Sequence, residues 1–149
     1  NRRRRQRGRR VCGRFKAIIV LKRGDTFRIK GDGHVRVVLS DPSKDPTAIY
    51  IVNFTHWEQN RDQSCVLNPS DHGTISKQTI VRYNNPTLES AADIERKIKS
   101  KHYQAGLSVR KDVLDRITEG ACKSNRVPER CKVLLRAQGL MPQPPTQKS

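Results

Sequence analysis

The sequence predicts an α+β fold, a small antiparallel barrel followed by helices. Three observations predict it. Five short β-branched or alternating segments lie between residues 20 and 86, and Gly, Pro and Asn clusters separate them. After Pro86 the apolar spacing changes from period two to the helical period. The chain has 149 residues and is 34% hydrophobic, room for one domain with a modest core.

The elements follow in order. Thr26-Phe27-Arg28-Ile29-Lys30 alternates as a half-buried strand, and Gly31-Asp32-Gly33 turns the chain. Val35–Leu39 is β-branched and reads as the second strand. Ala48–Phe54 is apolar on both faces and therefore central. Ser64–Leu67 is a short strand closed by Asn68-Pro69-Ser70-Asp71, and Thr79–Tyr83 is the last. Residues 22–86 are expected to form a closed or nearly closed barrel, with Val37, Leu39, Ile51 and Val66 largely buried. Thr87 can cap a helix that carries Leu88, Ala91, Ile94 and Ile98 on one face. Ser108 can cap a second, with Val109, Val113, Leu114 and Ile117, and Gly120 near its end. Pro128 suits the first turn of a third, which carries Cys131, Leu134 and Leu135 and stops at Gly139. The organisation expected is a disordered Arg-rich tail over 1–16, the barrel with its first helix over 17–103, a helical extension over 104–140, and a loose tail over 141–149.

Net charge is +17, and its distribution matters more than its sum. Residues 1–21 carry nine basic and no acidic side chains, while residues 22–86 carry nine basic and seven acidic. A basic excess points to a polyanion partner. Arginine runs bind phosphate without sequence preference, so the tail alone could make this a basic nucleic-acid-associated protein. The tail reads equally as a run outside the natural protein. The longest apolar run, Ala17–Leu21, is far too short to span a bilayer. No membrane partner and no secretory signal are therefore expected. None of Cys12, Cys65, Cys122 and Cys131 forms a CxxC pair, so free thiols in a reducing cytoplasm are expected rather than a zinc site. Gly-rich nucleotide loops, GxSxG and HExxH are all absent. No metal and no cofactor are expected.

Polar side chains gather at strand ends. His34 opens the second strand, Thr55, His56 and Trp57 follow the third, and His72 lies in the loop before the last. Ser76, Lys77, Gln78 and Thr79 lead into that last strand. Histidines move protons near neutral pH. Hydroxyls and a lysine can hold a phosphate or the charge that develops on it. The inventory suits phosphodiester cleavage in which an RNA 2′-hydroxyl attacks its own phosphate. Trp57 could stack a base or simply cover the barrel mouth.

The order of these pieces resembles the MazF/PemK-like toxins of toxin–antitoxin systems. The matching residues are Lys22-Arg23-Gly24-Asp25-Thr26-Phe27, His34–Asp41, Ala48–Thr55 and Lys77–Val81. They span about residues 20–100. The resemblance implies an α+β fold with a small antiparallel SH3-like β-barrel. It further implies an endoribonuclease that cuts single-stranded RNA without metal, an antitoxin protein as partner, and a homodimer. The family uses a threonine after its third strand, which Thr55 matches, and an arginine before its second. His34 stands at the arginine's place, and Arg36 lies two residues on. His34, Arg36, Thr55 and His72 are thus the candidate catalytic residues, with Trp57, Ser76, Lys77 and Thr79 as RNA-binding candidates. The family's long first loop is cut to Gly31-Asp32-Gly33. The missing arginine and the short loop keep open a non-catalytic protein- or RNA-binding module on the same barrel.

Overall fold

The computed structural model describes residues 20–144. The expected tail over 1–16 lies outside them, as does most of 141–149. Seven strands form one sheet, and every ladder is antiparallel. They are β1 Thr26–Ile29, β2 Arg36–Val38, β3 Ile49–His56, β4 Val66–Leu67, β5 Thr79–Arg82, β6 Leu88–Glu89 and β7 Tyr103–Ala105. Three helices follow or interleave: α1 Ala91–Lys99, α2 Lys111–Lys123 and α3 Glu129–Ala137. The fold is α+β. The strand order is β4-β5-β3-β2-β1-β7, with β6 paired to the start of β3.

The sheet is open. Among the described residues no ladder joins β4 to β7, so the expected closure is absent. Two causes are visible. The outer edge of β1 is taken by β7, which pairs Phe27 with Ala105 and Ile29 with Tyr103. At the other end β4 has only two residues.

β3 sits at the centre because both of its faces are apolar. Ile49 and Ile51 face α1, in a core with Leu21, Phe27, Val38, Ala91, Ile94 and Tyr103. Tyr50, Val52 and Phe54 face the opposite way and pack in one core with Val113, Ile117 and Ala121 of α2 and Leu134 and Leu135 of α3. The sheet is thus covered on both sides. Val37, Leu39 and Ile51 are buried as expected, whereas Val66 is half-buried. The boundary expected after residue 103 falls inside β7, and the helical extension completes the sheet's own core.

The expected helices begin later than the sequence suggests. Leu88-Glu89 pairs with β3 instead, and Ser90 caps α1 by accepting from the Asp93 N–H. Ser108 does not cap α2, because its hydroxyl donates to Asp25, 3.0 Å away, and Arg110 takes the cap position. Gly120 lies near the end of α2, as expected, but inside its last turn, and the helix runs on to Lys123. Two buried phenols tie sheet to helix. Tyr50 Oη donates to the Tyr83 carbonyl (2.5 Å), and Tyr83 Oη donates to the Ile117 carbonyl (2.6 Å).

Candidate functional site

The β1–β2 turn sets the first residue of the site. Gly31 adopts φ +85°, a conformation that suits glycine. Asp32 then accepts from the His34 N–H at 2.9 Å, which holds His34 at the mouth of β2. The His34 ring is exposed, and its Nδ1 lies 3.2 Å from the Phe54 carbonyl oxygen. A carbonyl can only accept, so Nδ1 carries the proton and Nε2 keeps a free lone pair.

This ring borders a concavity of about 230 Å³. Its floor is Val35, Phe54 and Ile75, all buried. Its polar walls are His34, Thr55 and His56, then Thr74, Ser76, Lys77 and Thr79, with Arg28 across from them. No Asp or Glu lines it. Two cations with no carboxylate in the wall favour an anionic ligand. Thr79 Oγ1 donates to the Lys77 carbonyl at 2.9 Å, and this fixes the approach to β5. Thr55 is buried, and Arg61 Nη1 reaches its hydroxyl at 3.4 Å.

Five of the candidates named from sequence therefore line one concavity: His34, Thr55, Ser76, Lys77 and Thr79. Three do not. Arg36 pairs with Asp32 at 2.6 Å and stands opposite Phe27 and Asn53 in the sheet. The two-residue alternation from His34 to Arg36 does not carry over, because β2 begins only at Arg36. His72 is buried with both nitrogens engaged. Nδ1 is 2.7 Å from Thr74 Oγ1, and Nε2 is 2.9 Å from the Leu107 carbonyl. It packs edge-on behind Phe54 and is part of the scaffold. Trp57 lies past the end of β3, 39% exposed, and its backbone N–H donates to Gln78 beside the rim.

Three wall residues were not in the candidate set, Arg28, His56 and Thr74, and strand alternation places the first two. His56 shares a β3 face with Val52 and Phe54 by period two. Arg28 follows Thr26, which pairs with Val37, and so lies on the face of Val35.

The segment that carries this wall is anchored from below. Asp71 accepts from the Asn68 N–H at 2.7 Å and from Arg116 Nη1 of α2 at 2.9 Å. The Asn68 hydrogen bond, then Arg116, hold the Asp71 carboxyl below its ordinary value. A depressed folded-state pKa gives stability that is present above the unfolded value and lost as pH falls through the folded one. Asp71→Asn is expected to lower stability by about 1–2 kcal/mol at neutral pH. The gap from wild type should narrow below about pH 4. Urea unfolding at neutral and acid pH measures it. A gap independent of pH means the carboxylate charge is not what anchors the loop.

Cys65, Cys122 and Cys131 are free thiols. Burial pushes Cys65 and Cys131 each up to about 11. No group of three or more His, Cys, Asp or Glu among the described residues is placed to hold a metal ion. No helix among them is long and apolar enough to cross a membrane. Compared with family models, curated proteins and solved structures, the chain matches none.

Proposed function

We infer that the chain is a MazF/PemK-like endoribonuclease that binds single-stranded RNA in the His34–His56 concavity and cleaves it without metal. The antiparallel sheet is read as an opened form of the family's SH3-like barrel. The observation that carries the reading is one concavity with two imidazoles, a lysine, an arginine and four hydroxyls, and no carboxylate in its wall. His34 Nε2 takes the proton of the 2′-hydroxyl, whose oxygen attacks the adjacent phosphorus. The bond from phosphorus to the 5′-oxygen breaks, and protonated His56 gives that oxygen its proton. The products are a 2′,3′-cyclic phosphate and a free 5′-hydroxyl. Lys77 and Arg28 offset the charge on the phosphorus oxygens, and Ser76 and Thr79 offer hydrogen bonds to them. The antitoxin, the homodimer and the cytoplasmic setting belong to the same reading.

One observation favours a second reading. Arg36, the nearest arginine to the family's position, is committed to Asp32 outside the concavity. The same wall would then bind RNA without cutting it. Incubating purified full-length protein with single-stranded RNA in EDTA decides between them. Cleavage at undiminished rate is the expected result, with cyclic phosphate ends. Binding without cleavage overturns the enzyme reading and leaves the binding module.

A further inference from the structure

Thr55 also lines a second concavity, of about 180 Å³, to which Asn60, Arg61, Ile80, Arg82 and Arg126 contribute. Its three arginines come from separate parts of the chain: the β3–β4 connection, β5, and the turn between α2 and α3. In the β3–β5 ladder Thr55 pairs with Ile80 and Asn53 with Arg82. Arg82 is thus a diagonal neighbour of Thr55 on one face of the sheet, about 7–8 Å away for such pairs. Arg61 joins Thr55 to this cluster through its 3.4 Å contact, while its Nε pairs with Glu58. Asp62 is the one carboxylate in the wall. Its oxygens are already engaged by the Ser64 N–H, the Ser64 hydroxyl and the Ser124 hydroxyl. Arg82 and Arg126 form no ion pair among the described residues. Arg82 Nε is spent on Asn84 Oδ1 at 2.8 Å.

We propose that this concavity takes the phosphodiester next to the scissile one. A single-stranded RNA then crosses β3 at Thr55, with one phosphate against His34 and Lys77 and its neighbour against Arg61, Arg82 and Arg126. The proposal rests on the reading of the first concavity as an RNA site. Guanidinium groups suit this role because their planar fork matches two phosphate oxygens at once, which an ammonium cannot do. Thr55 is in the wall of both concavities, which makes them neighbours across that residue. Arg126 places the turn between α2 and α3 on that track, so the C-terminal helices serve the ligand as well as the core.

The test uses the full chain and a labelled single-stranded RNA of about ten nucleotides, within the usual span of such sites. The RNA carries 2′-O-methyl groups, so it binds but has no attacking hydroxyl. Arg82→Gln combined with Arg126→Gln is expected to weaken binding about tenfold. The slope of log affinity against log salt should become shallower by about 0.7 for each phosphate the variant no longer neutralises. Arg96→Gln is the comparison, an exposed α1 arginine paired with Asp93, and it should leave both quantities unchanged. A double variant that behaves like Arg96→Gln overturns the proposal. Arg126→Gln alone repeats the test without touching the sheet. Cleavage of unmodified RNA is measured beside it. If wild type binds but does not cut, and the double variant loses binding, the second phosphate site stands and the catalytic reading falls. If wild type cuts and the double variant binds and cuts equally well, only the second site falls.

Discussion

His34→Ala is expected to slow RNA cleavage by about 10²-fold or more while leaving RNA affinity close to wild type. The expectation follows from one hydrogen bond. With Nδ1–H directed at the Phe54 carbonyl, Nε2 is the only ring nitrogen left to accept a proton. Removing it takes away the general base. The two cations of the wall remain, so binding is spared. A factor of 10² corresponds to about 2.7 kcal/mol of transition-state stabilisation. His72→Gln separates chemistry from scaffold. That ring is buried and bonded through both nitrogens, so its loss should appear in the unfolding midpoint rather than in the rate of the folded enzyme. Single-turnover cleavage assays with both variants decide the matter. Equal slowing by His34→Ala and His72→Gln, both fully folded, would remove His34 from its role as base.

The largest expected loss of stability comes from Gly120→Val, about 3 kcal/mol or more. Gly120 sits in α2 where the helix meets the sheet. A Cβ there would lie 2.8 Å from Cys65 Cβ, 3.1 Å from the Ser64 carbonyl, and closer still to Tyr83 Oη. Tyr83 has nowhere to go. Its hydroxyl is bonded to Ile117 and its carbonyl holds the Tyr50 hydroxyl. Glycine costs a helix about 1 kcal/mol relative to alanine, so α2 would gain from any other residue if space allowed. Overpacking at about 1–3 kcal/mol outweighs that gain even for alanine. Urea midpoints of Gly120→Ala and Gly120→Val should both fall, the second further. A rise for Gly120→Ala would mean that α2 can lift away from Cys65 without loss.

Much of the sheet was legible because its signals are local. Thr26–Ile29, Ile49–His56 and Thr79–Arg82 carry alternation or β-branched content that needs no partner to be read. β6 and β7 were not legible for the opposite reason. Tyr103-Gln104-Ala105 has little β character and becomes a strand only because β1 offers it an edge. Closure into a barrel was likewise a question of which distant edge β1 would find. The site divides along the same line. His34 and Thr55 share a wall because β2 pairs with β3 and the residues leading into β2 run on beside Phe54, a neighbourhood that follows once those two strands are taken as consecutive and antiparallel. Arg36 and His72 were diverted by Asp32, Thr74 and Leu107, and only the folded chain shows those choices.

The pairing of β1 with β7 sets an order for assembly. Phe27 meets Ala105 only after the intervening chain has been drawn into place. Closing so long a loop costs entropy before the contact returns anything. The β2–β3 and β3–β5 ladders span far less sequence and bury most of the central strand. In kinetic language, sequence separation leads us to expect β3 and its two neighbours in the folding nucleus, with β7 zipping onto a preformed edge late. Unfolding retraces this path in reverse. The first region expected to open is therefore β7 with its Thr26–Gly106 backbone bond, on the flank of the sheet that carries Arg28 rather than under the arginines of the second concavity.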